Sequence, residues 1–126
     1  MLLIDKMSSK PVYEQIVDGV ERNILLGIYP TGEMLPSVRE LSVRLGINPN
    51  TIQKSYAELT RRGVICTSPG NGCFVAIDAK ERLRARAMES LSALQEMVRE
   101  LSLRGITENE MIESVKQALH SQEEKL

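Results

Sequence analysis

Residues 36–63 read PSVRELSVRLGINPNTIQKSYAELTRRG, and the fold is decided there. Ser37-Val38-Arg39-Glu40 has the pattern of a capping box: a Ser hydroxyl at a helix start accepts from the N–H of Glu40, while the Glu40 carboxylate reaches back to the N–H of Ser37. Val38, Leu41 and Leu45 give the short helix that follows one apolar side, and Gly46 ends it. A second helix begins almost at once. Asn48 is a good N-cap, and Pro49 suits the first helical position, where a backbone N–H would have lacked a partner anyway. Ile52, Tyr56 and Leu59 then fall on one narrow arc, with Asn50, Gln53, Lys54, Ala57 and Arg61 opposite, and Gly63 closes the helix. Two short helices joined by Gly46-Ile47-Asn48 form a helix-turn-helix unit. In DNA-binding versions the second helix enters the major groove with its N-terminal residues at the base edges. Those residues here are Asn48, Asn50, Thr51, Gln53 and Lys54. Asn and Gln can bond adenine through N6 and N7, and Lys54 can meet a guanine or a phosphate.

Outward from this unit the pattern stays legible. Upstream, a helix opens at Pro11 with Val12, Tyr13, Ile16, Val17, Val20, Ile24 and Leu25 on one stripe. Asp18, Glu21, Arg22 and Asn23 lie off the stripe, Gly27 is a stop, and residues 29–32 read as a turn. Downstream, residues 64–67 and 73–77 are short β-type runs around Ser68-Pro69-Gly70-Asn71-Gly72, a hairpin-turn composition. Strands this short need helices to pack on. From Asp78 a long helix extends to Arg104. Its apolar seam, Ala87, Leu91, Leu94, Val98 and Leu101, steps by 4, 3, 4 and 3 as in a coiled coil, and Leu83, Met88 and Met97 widen it. Thr107-Glu108-Asn109-Glu110 is a second capping box, opening a shorter helix with Met111, Ile112, Val115 and Leu119 on one side, and residues 121–126 read as a frayed polar end. The expected fold is mainly α with a small β-hairpin: an N-terminal winged helix-turn-helix over 1–77, then a C-terminal two-helix dimerisation arm over 78–126. The arm's strip is too wide for its own short helix to cover, so Leu91, Leu94, Val98 and Leu101 are expected to meet a second copy.

Composition narrows the function. The 126 residues are 42% hydrophobic and 26% charged, ordinary for a small globular chain. A net charge of −1 excludes a histone-like arm, yet it hides an asymmetry. Residues 36–72 carry five basic and two acidic side chains, a net +3, whereas residues 78–126 carry eight basic and ten acidic, a net −2. Four aromatic residues and no Trp argue against a carbohydrate platform or a base-stacking sheet. The N-terminus meets a charge after four residues and no apolar run approaches a membrane span, so a cytoplasmic protein without a membrane partner is expected. The single His120 sits in a polar stretch, and no phosphate-binding glycine loop is present. Cys66 and Cys73 lack the partners for a zinc site. No catalytic residue, cofactor or metal is therefore expected. With a four-residue turn, the two cysteines would share the hairpin's exposed face on a diagonal about 7–8 Å apart, poor geometry for a disulfide.

Pro11-Val12-Tyr13-Glu14-Gln15-Ile16, Leu35-Pro36-Ser37-Val38-Arg39-Glu40-Leu41, the run from Gly46 through Leu59, and Gly70-Asn71-Gly72-Cys73-Phe74-Val75 together resemble the GntR family of bacterial transcription regulators. The short helical C-terminal part resembles the YtrA-like subfamily, whose tail serves dimerisation and is too small for the ligand pockets of other branches. The resemblance implies a winged helix-turn-helix that binds double-stranded operator DNA as a homodimer, usually to repress. It places DNA contacts at Arg39, at Asn48, Asn50, Thr51 and Gln53, and at the wing glycines Gly70 and Gly72, with Ser37 offering its hydroxyl and helix N-terminus to a phosphate. The sequence departs from the family in three places. The wing carries no positive charge, so phosphate contact there falls to backbone N–H groups and Asn71. Met34 stands where a basic residue is common, and Cys66 and Cys73 replace residues more often polar. The uncharged wing sustains one alternative, a protein-interaction adaptor that uses the winged fold and the seam without DNA. Salt-dependent duplex binding separates the two. The operator, the target genes and any small-molecule effector are not encoded in readable form.

Overall fold

The computed structural model describes residues 2–124. Helices α1 (Val12–Leu25), α2 (Val38–Leu45) and α3 (Pro49–Arg61) precede strands β1 (Ile65–Ser68) and β2 (Gly72–Val75), and α4 (Ala79–Leu103) and α5 (Glu108–Glu124) follow. The chain divides into two compact units, Met1–Ala85 and Arg86–Leu126, with α4 running across the division. The mainly helical winged fold expected from the sequence is the one observed.

The helix boundaries follow from their caps. Ser37 Oγ accepts from the N–H of Glu40 at 3.0 Å, while the Glu40 carboxylate turns towards Arg44, 3.9 Å away, one turn further on. Gly46 ends α2 at φ +64°, a left-handed conformation that costs a residue with a Cβ about 1 kcal/mol or more. The Ser42 hydroxyl donates to the Ile47 carbonyl at 2.5 Å across the turn, and Ile47 is buried beneath it. Asn48 Oδ1 accepts from the Asn50 N–H at 2.8 Å and opens α3.

In the first unit, α1 packs on α3, α2 packs on α3, and α3 packs on β1. Ile16, Val17, Val20 and Ile24 meet Leu41, Ile52, Tyr56 and Leu59 in one core, closed by Val64, Ile65 and Val75 of the hairpin region. Leu2, Leu35, Ala79 and Leu83 complete it, so Leu83 belongs to this core rather than to the seam. Two residues expected off the α1 stripe are also buried, Glu21 at 8% and Asn23 at 3% exposure. Glu21 survives there because Arg62, at the end of α3, brings its guanidinium within 3.3 Å. The Asn23 carbonyl accepts from the N–H groups of Ile28 and Tyr29, tying the end of α1 to the following turn.

The hairpin differs from the sequence reading in register. Ile65 pairs with Val75, Cys66 with Phe74, Thr67 with Cys73 and Ser68 with Gly72. The turn is therefore three residues long, because Pro69-Gly70 bends at φ +81° on Gly70 and the Asn71 N–H bonds the Ser68 carbonyl at 2.9 Å. One residue fewer in the turn reverses the relation of the cysteines. Cys66 lies on the Phe74 face and Cys73 on the Thr67 face, and both are free thiols. On the far edge of β2, Gly32 and Leu35 donate to Val75 and Cys73, and Val75 donates to Glu33. This flanking segment, of which the sequence shows only the turn over residues 29–32, supports the hairpin from its second side.

In the second unit the Thr107 capping box is complete. The Glu110 N–H donates to Thr107 Oγ1 and the Thr107 N–H to the Glu110 carboxylate, both at 3.2 Å. Helix α5 continues to Glu124 where a frayed end was expected, and residues 125–126 lie outside the described residues.

Arg61 and Arg62 both hydrogen-bond Glu58, and together, Arg61 foremost, they hold its carboxyl at about 2 against an ordinary value of 4.5. A depressed pKa stabilises the fold above the unfolded value and ceases to do so as pH falls through the folded one. Thermal stability should therefore decline from about pH 4.5 towards about pH 2. In Glu58→Gln the melting temperature should be lower at pH 7 and its acid slope shallower, as a calorimetric pH series would read. An unchanged slope would remove this cluster from the acid transition.

Candidate nucleic-acid interface

The expected contact residues occupy three places in the first unit: the start of α2, the first two turns of α3, and the hairpin turn. Ser37 caps α2, and its hydroxyl, having accepted from Glu40, keeps its own proton for an outside acceptor. Arg39 lies exposed in the first turn of α2. At α3, Asn48, Asn50, Gln53 and Lys54 are exposed and Thr51 is half-buried. The Asn50 and Gln53 side chains make no hydrogen bond among the described residues. Gly70, Asn71 and Gly72 are exposed at the hairpin tip.

These places are tied to one another by the backbone. The Tyr56 hydroxyl donates to the Pro36 carbonyl at 2.6 Å, fixing the entry to α2 against α3. Burial pushes the Tyr56 phenol well above its ordinary pKa, which favours the protonated, donating form. Leu35 donates to Cys73, which holds the same entry segment to β2 and thus to the hairpin. Met34, at a position where the family commonly has a basic residue, packs beside Gly72 and forms a bridge with Phe74. Asn71 is less available than the sequence suggested. Its N–H closes the turn and its side-chain amide donates to Ser68 Oγ at 3.2 Å.

The charge is more concentrated than a count shows. Of the five cations in residues 36–72, Arg44 faces Glu40, Arg61 holds Glu58, and Arg62 bridges Glu58 and Glu21. Arg39 and Lys54 are in no ion pair among the described residues. The outer arc of α3 is thus cationic at Lys54 and neutralised near Arg61. Lys54 has a different neighbour: its Nζ lies 3.9 Å from the centroid of the Tyr13 ring, reaching across from α3 to α1. In the sequence Tyr13 falls on the apolar stripe of α1. No local signal links it to a residue forty-one positions away.

Two exposed helix N-termini, amides without internal partners and two unpaired cations form a surface suited to phosphate and base edges. A family model described as "Bacterial regulatory proteins, gntR family" matches residues 12–75, more than half of the chain. The chain belongs to the GntR family. As a GntR member it is a DNA-binding transcriptional regulator and not an enzyme, which decides against the DNA-free adaptor. The HTH-type transcriptional repressor YtrA of Bacillus subtilis is 46% identical over 83 residues, covering 66% of this chain and 64% of that protein. A GntR family transcriptional regulator from Listeria monocytogenes superposes with a TM-score of 0.72 at 37% identity, over 90% of this chain and 98% of that one. The DNA-binding domain of AraR, solved in complex with operator ORR3, superposes with a TM-score of 0.51 at 26% identity, over 60% of this chain and 95% of that one. The GntR match spans the three helices and the hairpin that carry the candidate interface.

Proposed function

We propose that this chain is a cytoplasmic repressor that binds a palindromic operator as a homodimer, reading bases with the first two turns of α3. The observation that carries the reading is the exposed row Asn50, Gln53 and Lys54, polar groups without a hydrogen bond or ion pair among the described residues, on the helix that a winged helix-turn-helix lays in the major groove. Arg39 and Ser37 at the start of α2 supply contacts beside it, and Asn48 and Thr51 flank it. Gly70, Asn71 and Gly72 approach the backbone as an uncharged wing. The repressor sense is supported by the relative YtrA, named as a repressor, and operator DNA by the AraR complex.

The homodimer is supported by the second unit. Leu91, Leu94, Val98 and Leu101 are 46%, 47%, 39% and 37% exposed, although they repeat as a seam. The only buried residues of α4 are Ala79 and Leu83, both near its start. A second copy of the same seam is self-complementary by a two-fold axis, and the dimer would bring two α3 helices to one duplex, about one helical turn or a multiple of it apart.

Selection from a randomised duplex pool tests this directly. A palindromic consensus should emerge, and binding to it should weaken steeply with salt. On that consensus, Asn50→Ala and Gln53→Ala should each cost about 1–3 kcal/mol, with little loss on random duplex. Equal losses on both duplexes would show that these side chains read no base, and a pool without enrichment would sink the operator reading.

A further inference from the structure

Lys54 is an exposed residue with an engaged head group. Its stem rises from the second turn of α3, and its Nζ lies 3.9 Å from the ring centroid of Tyr13. Tyr13 sits in the first turn of α1 and is half-buried. Its backbone is met from α3 as well: the buried Ser55 hydroxyl lies 2.9 Å from the Tyr13 carbonyl and 3.0 Å from the Thr51 carbonyl and shares its proton between them. The ring is therefore a held surface, and its negative face attracts an ammonium. A free lysine head samples many rotamers and loses them on binding a phosphate. Here the head is already gathered towards α1, away from the outer arc on which Asn50 and Gln53 stand.

We infer that Tyr13 is a positioning residue for DNA binding: its ring holds Lys54 off the base edges and presents the ammonium to a backbone phosphate on the α1 side of α3. This rests on the reading of α3 as the groove-entering helix, and it decides between the two partners, guanine and phosphate, open to Lys54. The consequence is a division of labour along one helix. Asn50 and Gln53 discriminate sequence, and Lys54 anchors the helix on any sequence.

The test uses the full chain on the selected consensus and on random duplex. Lys54→Ala should weaken both by a similar factor and lower the slope of log K against log salt by about 0.9, the signature of one lost phosphate. Tyr13→Leu should weaken both about two- to fivefold with the slope retained, since the ammonium is still present but no longer held. Tyr13→Phe keeps the ring and should bind as the wild type does. In a Lys54→Ala background, Tyr13→Leu should cost nothing further, an outcome that a purely structural tyrosine would not give. Independently of DNA, the ε-methylene protons of Lys54 should show an upfield ring-current shift in the free protein, lost in Tyr13→Leu. A Tyr13→Leu loss that persists without Lys54 would overturn the inference, as would an unshifted Lys54 resonance. A Lys54→Ala loss confined to the consensus would assign Lys54 to a base and overturn it too. If Lys54→Ala is silent while Asn50→Ala still costs affinity, the inference fails and the proposed function stands. If no variant alters a salt-dependent affinity, the proposed function fails first.

Discussion

Arg39→Ala should nearly abolish binding to the operator while the melting temperature stays within the equivalent of about 0.5 kcal/mol. The two halves of this expectation have separate causes. Arg39 is exposed in the first turn of α2 and is in no ion pair among the described residues, so its removal opens no cavity and strands no charge. Its guanidinium stands close in sequence to Ser37 and at a helix N-terminus, where donors and a positive dipole end already favour an anion. Arg61 and Arg62 cannot stand in for it, since both are bound to Glu58. Fluorescence anisotropy on the consensus duplex and a thermal melt of the same sample check both halves. A large fall in melting temperature would make Arg39 structural and withdraw it from the interface.

Leu94→Glu should convert the protein to a monomer and remove specific DNA binding together with dimerisation. Leu94 is half-exposed in the single chain, so a carboxylate there costs little until a second seam covers it. In a two-fold dimer two such carboxylates would be buried without partners, at a cost of about 3–5 kcal/mol. Folding of the first unit should be untouched, because the residues of α4 that enter its core are Ala79 and Leu83. A fragment ending at Ala85 should likewise retain its fold and bind a half-site weakly. Sedimentation of the wild type as a monomer at micromolar concentration, or of Leu94→Glu as a dimer, would take the arm out of the mechanism.

The helix-turn-helix was readable because its determinants are local. A cap is satisfied within four residues, so Ser37, Gly46 and Asn48-Pro49 announce α2 (Val38–Leu45) and α3 (Pro49–Arg61) with no knowledge of the rest of the chain. The same holds for Thr107 and Glu110 at α5. Periodicity likewise gave the buried arc Ile52, Tyr56 and Leu59, and with it the exposed arc that carries the candidate interface.

What the sequence left open depends on which element approaches which. Glu21 looks like a surface carboxylate until Arg62, from another helix, makes its burial tolerable. The faces of Cys66 and Cys73 turned on a single residue of turn length, and side-chain alternation makes any such slip complete. The segment beside β2 has no strand pattern of its own, yet the N–H groups of Gly32 and Leu35 and the carbonyl of Glu33 bond backbone groups of β2. A count of charges could not say that Arg44, Arg61 and Arg62 are engaged while Arg39 and Lys54 are in no ion pair among the described residues, nor that Tyr13 would stand under Lys54. Sequence by itself determined the elements, their ends and the polar character of the outer face of α3, since those follow from hydrogen bonds and apolar spacing within a few residues. Tertiary structure alone decided which cations remain unpaired, which carboxylate is buried and which face each thiol takes, because partners distant in the chain meet only when the helices pack.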